Sequence, residues 1–330
     1  MRPRSTAEIE GTRVRLAGDS RPGRVRTVNQ DAVVAGEVAD RPLLLVADGM
    51  GGHSTGEVAS ARAADAIQRE LHRSRAHPPA ALARALQVAN AEVLELARSD
   101  PRHRGMGTTL TAVLIDDAVG LVAHVGDSRA YLLRDDRLRV LTEDHSWVAE
   151  RVKQGLLSED EARRHRWRNV ITNALGATDA FRLDLAHVLL RAGDRLLLVS
   201  DGVSALLSDR LLRDLLAQGD PEEVVVRLLD AADERGSPDN VSAVVAVVDE
   251  VHASPRRYEL PPELPEELPN ETDWAIEMRQ TMGGVREIED RYPGRGPMRW
   301  LKRQAWYPYR LWILASAYLA FLLVLFVALR

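Results

Sequence analysis

Five aspartates in this sequence lie beside small or turn-forming residues, two of them where apolar runs end. Asp48 ends the run in LLLVADGMGG and Asp201 the run in LLLVSDGV, and the others are Asp31 in RTVNQDA, Asp127 in HVGDSR and Asp239 in GSPDNVS. A carboxylate at the end of a buried segment is costly unless it is paired, hydrogen-bonded or bound to a cation. Turn formation is the simpler alternative, because Gly allows positive φ and Asp bonds its own backbone.

If the fold brings these carboxylates together, they repel one another and take up protons unless a cation lies among them. Oxygen ligands without Cys or imidazole favour Mg2+ or Mn2+ over Zn2+. Two such ions that share carboxylates and waters make a nucleophile from water at neutral pH and clamp a phosphoryl group in transfer. Convergence of the five aspartates therefore predicts metal-assisted phosphoryl chemistry.

Strands and helices must hold these aspartates in place. The apolar runs before Asp48 and Asp201 predict buried strands, since neither run is long enough to favour a helix. Apolar residues three and four positions apart predict amphipathic helices over 54–71 and 79–97. Further strands are predicted over 109–115, 119–125, 130–133, 194–200 and 240–248. Strands interrupted by a helical pair, without regular βαβ alternation, predict an α+β fold with antiparallel sheets.

Composition narrows the class of protein. The chain has 330 residues and 45% hydrophobic content, enough for one large or two ordinary domains with a substantial core. Its formal net charge of -5 offers no basic field for nucleic acid. The absence of Cys from the sequence excludes disulfides and thiolate metal sites and fits a reducing cytosol.

The composition changes after residue 250. We predict a folded catalytic unit over 10–250, a Pro- and Glu-rich linker with a basic juxtamembrane segment over 251–310, and a transmembrane helix over the uncharged residues 311–329. The basic residues on the N-terminal side of that helix are Arg295, Arg299, Lys302, Arg303 and Arg310. The positive-inside rule then places the catalytic unit in the cytoplasm, on a single-pass anchor in the inner (plasma) membrane.

Six motifs follow one another through the folded unit. They are RxxNQD at 26–31, VADGMGGH at 46–53, GMGTTL at 105–110, VGDSRAYL at 125–132, VSDGV at 199–203 and GSPDNVS at 236–242. The ordered set resembles the bacterial branch of the type 2C, metal-dependent (PPM) Ser/Thr protein phosphatases, although no single motif is decisive. The resemblance implies a β-sandwich of two antiparallel sheets flanked by helices, in four αββα layers.

The resemblance also implies an activity. Family members hydrolyse phosphoserine and phosphothreonine in proteins by direct attack of a metal-activated water at a binuclear Mn2+ or Mg2+ site, with two or three ions per chain. The implied partners are phosphoproteins and a Ser/Thr protein kinase. Two alternatives stay open: a non-catalytic phosphoprotein-binding scaffold with the same fold, and a phosphatase that acts on small molecules.

The resemblance assigns site residues position by position. The implied metal ligands are Asp48, Gly49, Asp201, Asp239, Asp31 and Asp127. Asp48 is expected to bridge two ions, and Gly49 to offer its carbonyl to one of them. Asp201 and Asp239 complete the shell of the first ion and form the catalytic set with Asp48, whereas Asp127 serves a third ion.

Further expectations concern residues outside the ligand set. Arg26 is implied to hold the substrate phosphate, in line with the preference of guanidinium for phosphate oxygens. Gln30 stands where the family usually has Glu, and we expect its neutral amide to weaken binding of the second ion. Asp144 and His145 precede a helical stretch and are predicted as helix caps. The segment after them, 146–173, corresponds to the family's flap beside the active site.

Overall fold

The structure is a computed structural model of the whole chain, and it describes residues 4–9, 12–51, 55–251 and 258–264, with the backbone alone for 4–9. The predicted transmembrane helix over 311–329 and most of the predicted linker over 251–310 lie outside these residues. Within the described ranges, no helix is long and apolar enough to cross a bilayer. The described residues belong to a compact unit, Met1–Glu267, and the predicted domain bounds stay predictions.

Two antiparallel sheets form the centre of the fold. The first has the strand order β1 (Arg4–Ile9), β2 (Thr12–Arg21), β12 (Val241–Glu250), β11 (Arg195–Val199), β8 (Arg129–Arg134) and β9 (Arg137–Val140). The second has the order β10 (Asp184–Leu189), β7 (Val119–Val125), β6 (Leu110–Asp116), β4 (Arg41–Met50) and β3 (Asp31–Val38), and the short β5 (Gly107–Thr108) pairs with β4.

Helices cover the outer face of each sheet. The long pair α1 (Thr55–Arg73) and α2 (Pro78–Ser99) packs on the second sheet, and α6 (Asp209–Leu216) and α7 (Pro221–Glu234) pack on the first. The short helices α3 (Trp147–Lys153) and α4 (Glu159–Arg164) lie in the segment 146–173, called the flap below, and α5 (Asp201–Ser204) directly follows β11. The predicted α+β fold of two antiparallel sheets flanked by helices is confirmed.

Strand β4 illustrates how the layers are made. Its side chains alternate: Leu44 and Val46 pack between the two sheets, whereas Leu43, Leu45 and Ala47 pack beneath α1 and α2. All five are fully buried. A strand covered on both faces needs apolar residues at every position, which explains the continuous run before Asp48. The core therefore fixes the strand end from which Asp48 projects.

The segment 258–264, called the strap below, lies along β10. The His187 backbone N–H donates to the Pro262 carbonyl at 2.9 Å, and the Leu264 N–H donates to the His187 carbonyl at 2.8 Å. Leu264 is buried with the residues between the sheets, and the Tyr258 hydroxyl donates to Asp116. The strap thus covers an edge strand of the second sheet, at the beginning of the region predicted as linker.

Candidate active site

Strands β3 and β4 place Asp31 and Asp48 directly opposite each other. The two residues are register partners, and the Gly49 N–H donates to the Gln30 carbonyl at 3.1 Å. Thr109 fixes the Asp48 backbone from the next strand, because its N–H donates to the Asp48 carbonyl at 2.9 Å and its hydroxyl accepts from the Asp48 N–H at 2.9 Å. Both carboxylates therefore leave the second sheet at one point.

The first sheet brings Asp201 and Asp239 to the same point. Asp201 follows β11 as the first residue of α5, with Ser200 at the N-cap, and its side chain lies within hydrogen-bonding distance of Asp48. Asp239 lies in the turn before β12, and from that strand the Ser242 hydroxyl donates to the Asp31 carboxylate at 2.5 Å. Each sheet therefore contributes two aspartates, and the site lies where the two sheets meet.

Asp127 completes the group from the turn between β7 and β8. It is 8% exposed, and its charge acts on Asp48 together with those of the other three aspartates. The turn is held by Arg129, which donates to Asp144 through Nε at 2.8 Å and Nη2 at 2.7 Å. All five aspartates singled out from the sequence are thus brought together, although their individual roles stay predictions.

The pKa values of these carboxyl groups show how strongly the site disfavours several negative charges. Burial, together with the charges of neighbouring carboxylates, raises the pKa of Asp31 to about 7 and that of Asp127 to about 8. Burial followed by the charges of four aspartates raises the pKa of Asp48 well above its ordinary value. Burial and the Asp239 charge also raise the pKa of Asp201. A cation among these groups would reverse each shift.

The donor atoms fit a hard divalent cation. One carboxylate oxygen each of Asp31, Asp127 and Asp201 is buried without a hydrogen-bond partner, and such orphaned acceptors are costly unless a cation or water satisfies them. In the described ranges, no three acidic or histidine side chains are already arranged around one ion position. We therefore assign a metal-binding region from its chemistry, without a coordination geometry.

Arg26 lies at the mouth of the site. Its guanidinium donates from Nη2 to the Asp239 carboxylate at 2.8 Å, and the side chain is about half exposed. That hydrogen bond, with the nearby charges of Asp48 and Asp201, raises the pKa of Arg26 against the cost of burial. The predicted phosphate-binding cation is thus charged and accessible, directly beside the aspartates.

The loop that carries Arg26 is held by a residue that the sequence analysis did not single out. Asn240 donates from Nδ2 to the Pro22 and Val28 carbonyls at 3.1 Å each, and its Oδ1 accepts the Gln30 N–H at 2.9 Å. The signal for it was present, because Asn240 is the residue after Asp239 in the GSPDNVS motif. Ser200 and Ser242, which bond the Asp31 carboxylate, likewise lie in motifs quoted above.

Gln30 and Gly49 pack against the start of α1. Gln30 is 8% exposed, and its carbonyl accepts the Ser60 hydroxyl at 2.6 Å. A Cβ on Gly56 would lie 2.5 Å from the Gly49 carbonyl oxygen and 2.9 Å from the Gln30 Cδ. Only glycine fits at this close approach of backbone to backbone. The expected ligand carbonyl and the neutral amide thus lie side by side next to Asp48.

The predicted role of Asp144 and His145 as helix caps is wrong. Ser146 caps α3, with its hydroxyl accepting the Ala149 N–H at 3.3 Å. Asp144 instead pairs with Arg129, and His145 is buried among backbone and side-chain partners. Sequence adjacency to a helix does not distinguish a cap from a residue whose partners come from distant elements.

Comparison with known proteins identifies the family of this chain. The sequence profile described as Protein phosphatase 2C matches residues 21–246. This chain belongs to the protein phosphatase 2C family. That family comprises metal-dependent Ser/Thr protein phosphatases, so the resemblance drawn from the six motifs is confirmed.

Similar proteins come from several bacteria. Serine/threonine protein phosphatase PstP of Mycobacterium tuberculosis is 40% identical over 242 residues, which cover 72% of this chain and 45% of PstP. Protein phosphatase PhpP of Streptococcus pneumoniae is 35% identical over 247 residues, which cover 70% of this chain and 96% of PhpP. The chain thus spans about half the length of PstP and nearly all of PhpP.

One solved structure bears on the metal. It is the catalytic domain of PstP in complex with 2 manganese ions, and it superimposes with a TM-score of 0.66 at 37% identity over 72% of this chain and 99% of that domain. The residues matched by the protein phosphatase 2C profile, 21–246, include all five aspartates and Arg26. A manganese complex of this fold agrees with the oxygen-rich donor set described above.

Proposed function

We propose that this chain is a protein Ser/Thr phosphatase that hydrolyses phosphoserine and phosphothreonine with a pair of Mn2+ or Mg2+ ions. The observation that carries the proposal is the convergence of five aspartates, three with orphaned buried oxygens, beside an exposed arginine. Family membership and the two manganese ions in the PstP structure support the same activity. Asp48, Asp201 and Asp239 would be the catalytic ligands.

The chain's own residues have separable tasks in this reaction. A bound pair of divalent ions supplies a water-derived nucleophile and neutralises charge on the phosphoryl group. Asp48 is the register partner of Asp31 and lies within hydrogen-bonding distance of Asp201, so its carboxylate would hold a divalent ion together with either neighbour. Thr109 fixes the Asp48 backbone from both sides, and Ser242 orients Asp31. These contacts fix the Asp48 backbone and one oxygen of the Asp31 carboxylate.

Arg26 would bind the substrate phosphate. Its guanidinium offers five N–H donors, so it can keep its bond to Asp239 while it donates to phosphate oxygens. The Asp239 contact holds the side chain at the site and limits the conformational freedom lost on binding. Asn240 supports the same loop, because its Nδ2 donates to the Pro22 and Val28 carbonyls.

The test is hydrolysis by the full-length protein in detergent, measured with an aryl phosphate and with phosphoserine and phosphothreonine peptides. We expect turnover with Mn2+ or Mg2+, and none with chelator. No turnover with any ion would support the non-catalytic scaffold. Turnover of small phosphates together with inert phosphopeptides would support the small-molecule phosphatase.

The cellular placement is a second part of the proposal. Residues 311–329 carry no charge, and five Lys and Arg residues lie within 295–310, a pattern typical of a single-pass anchor with its N-terminal side in the cytoplasm. A Ser/Thr protein kinase and its phosphorylated products are the partners that such an enzyme would need. Protease added outside intact cells should leave the catalytic unit uncut, and digestion under those conditions would refute the orientation.

A further inference from the structure

His145 joins three parts of the molecule that are distant in sequence. It is 1% exposed and lies between the Asp127 turn, the base of the flap and the start of β10. Its N–H donates to the Gly126 carbonyl at 2.6 Å, and its Nδ1 accepts the Gly126 N–H at 3.2 Å. The residue directly before Asp127 is therefore held by His145 through both of its backbone polar groups.

The hydrogen bonds define the imidazole tautomer. Nδ1 faces two donors, the Gly126 N–H and the Asn173 amide at 2.7 Å, so it carries no proton. The Nε2–H then donates to the Asp184 carboxylate at 2.9 Å. Burial opposes ionisation of Asp184, but the His145 bond and the Arg182 charge outweigh it and hold the Asp184 pKa below its ordinary value. Arg182 Nε lies in hydrogen-bonding geometry 3.2 Å from Nε2, and it forms an ion pair with the Asp184 carboxylate at 3.3 Å.

The flap is fastened to the same residue. The Thr172 N–H donates to the His145 carbonyl at 2.9 Å, and Asn173 binds the imidazole. The two ends of the flap also bond each other, because the Trp147 N–H donates to the Val170 carbonyl at 2.8 Å. A displacement of His145 would therefore move the flap base and the Asp127 turn together.

We infer that His145 is a positioning residue that holds the turn carrying Asp127 in a fixed position relative to the flap. The inference rests on the proposed function and adds to it a residue outside the assigned ligand set. Among the described residues, the imidazole has no hydrogen bond to any of the five aspartates of the site, so it acts through Gly126 on one side and through 172–173 on the other. It therefore affects the metal affinity of Asp127 and the binding of substrates that are large enough to reach the flap.

The alternative is that His145 only fills the core. Buried imidazoles with satisfied nitrogens are common structural groups, and this chain contains a suitable control. His187 is 5% exposed, and its Nδ1 pairs with the Pro261 carbonyl at 2.7 Å, on the side of β10 that carries the strap. Loss of His187 should lower stability without touching the Asp127 turn.

Three substitutions separate the contributions of the two imidazole nitrogens. His145→Asn keeps an acceptor near the Nδ1 position, His145→Gln keeps a donor near the Nε2 position, and His145→Ala removes both; His187→Gln is the matched control. Mn2+ binding is measured by calorimetry, independently of turnover, together with unfolding temperature and steady-state kinetics on an aryl phosphate and a phosphopeptide.

We expect His145→Ala to weaken Mn2+ binding by about tenfold, a loss typical when a residue that orients a metal ligand is removed. His145→Asn should retain more affinity than His145→Gln, because the bond to Gly126 matters most. Excess Mn2+ should restore most of the aryl phosphate rate of His145→Ala, while its KM for the phosphopeptide stays raised.

Three results would overturn the inference. The first is unchanged Mn2+ binding in His145→Ala. The second is an Mn2+ affinity of His145→Gln equal to or higher than that of His145→Asn. The third is a loss of Mn2+ affinity in His187→Gln that matches the loss in His145→Ala when the two variants have the same unfolding temperature. A wild-type protein that neither binds Mn2+ nor hydrolyses phosphate would instead remove the proposed function itself.

Discussion

The buried carboxyl group of Asp48 is in electrostatic conflict with its neighbours. It is buried, four other aspartates act on its charge, and its side chain lies against that of Asp201. Such a group does not stabilise a core, because its ionised form is unfavourable there without a cation. Perturbed carboxyl groups that gather in this way are typical of functional sites. The same conflict makes the role of Asp48 testable.

Asp48→Asn should abolish activity and stabilise the metal-free protein. The amide has nearly the shape of the carboxylate but cannot bridge two cations, so turnover should fall below about a tenth of wild type. Removal of one repelling charge should raise the metal-free free energy of unfolding at about pH 8 by about 1 kcal/mol. Phosphatase assays and chemical denaturation with chelator measure both effects. Activity close to wild type would contradict the assignment.

The raised pKa values predict an unusual pH dependence of stability without metal. In the folded protein Asp31 and Asp127 lose their protons near 7 and 8, far above the ordinary value of 3.8. Between the unfolded and the folded pKa values, the folded state therefore binds more protons than the unfolded state. The contribution of these two carboxyl groups to the free energy of unfolding should fall as the pH rises from about 4 to about 8. Saturating Mn2+ should remove the trend, because it binds the ionised carboxylates.

Thermal unfolding with chelator between about pH 7 and about pH 8.5 tests this expectation. That range lies above the ordinary His pKa of about 6.5, so the buried His124, whose pKa burial lowers to about 3, adds no slope. Asp127→Asn should flatten the dependence. Stability of the metal-free protein that rises with pH would show that the carboxylates are not held as described.

Gln30 offers a test of metal affinity. Its side chain lies beside the Gly49 carbonyl near Asp48, where a carboxylate would add negative charge next to a bound ion. We expect Gln30→Glu to lower the Mn2+ concentration for half-maximal rate by about threefold to tenfold, a modest coulombic gain in a partly screened site. Gln218→Glu, which adds the same charge at an exposed residue between α6 and α7, is the control. Equal metal titrations for the wild-type and Gln30→Glu proteins would place Gln30 outside the metal surroundings.

At the scale of elements, the sequence predicted best those segments whose burial follows a regular pattern. Strand β7 coincides with the predicted 119–125, and α1 and α2 fall within two residues of their predicted bounds. Buried strands are continuous apolar runs, and long helices repeat their apolar face over several turns. Helix α7 was missed although it carries Pro at its first position and two acidic residues in its first turn, so that omission was a failure to use available signals.

Other features could not be predicted from local pattern. The partners of His145 lie at Gly126, Asn173 and Asp184, on three separate elements, and no spacing in the sequence indicates that they meet. The strap is a second case, because its Pro- and Glu-rich composition is typical of a linker. Its attachment depends on an open edge of β10 and on a buried position for Leu264. Both features are decided by tertiary packing.

The strap leads to a prediction about truncation. A protein ending at residue 251 lacks the burial of Leu264 and two backbone bonds to His187, whereas one ending at residue 267 keeps them. We expect the shorter protein to be less stable by about 2 kcal/mol, the value of one buried Leu side chain. Its aryl phosphate turnover should be unchanged at a temperature where both are folded. Leu264→Ala in the longer protein should reproduce part of the loss, and equal unfolding midpoints would show that the strap contributes nothing.

At the scale of the molecule, the metal-binding region joins the two sheets. Asp31 and Asp48 come from the second sheet, and Asp201 and Asp239 flank strands of the first. Ions held between them would add bonds between layers that meet mainly through apolar side chains and through a few polar contacts such as that of Ser242 with Asp31. Bound metal should therefore raise the free energy of unfolding of the whole sandwich by mass action. Metal binding at the site and folding of the unit are then coupled.

The last prediction concerns the link between this unit and the membrane. If residues 311–329 anchor the chain, the 46 residues from 265 to 310 set its reach, which is about 140 Å at the polyproline II rise of about 3.1 Å per residue. The tether raises the effective concentration of the enzyme toward phosphoproteins on the same membrane. The basic residues before the anchor add attraction to anionic lipid of about 1 kcal/mol each near the surface. The anchor supplies location and no catalytic group.

Vesicles of anionic lipid that carry a membrane-anchored phosphoprotein provide the measurement. The full-length protein should dephosphorylate it at least about tenfold faster than the protein ending at residue 267, because only the former shares the surface with its substrate. Both should hydrolyse an aryl phosphate equally, since each retains the aspartates, Arg26 and the strap. A full-length protein with an unrelated transmembrane helix in place of 311–329 should match the wild type. Equal rates of the full-length and truncated proteins on the anchored substrate would contradict the tether, because effective concentration is its only contribution to the rate.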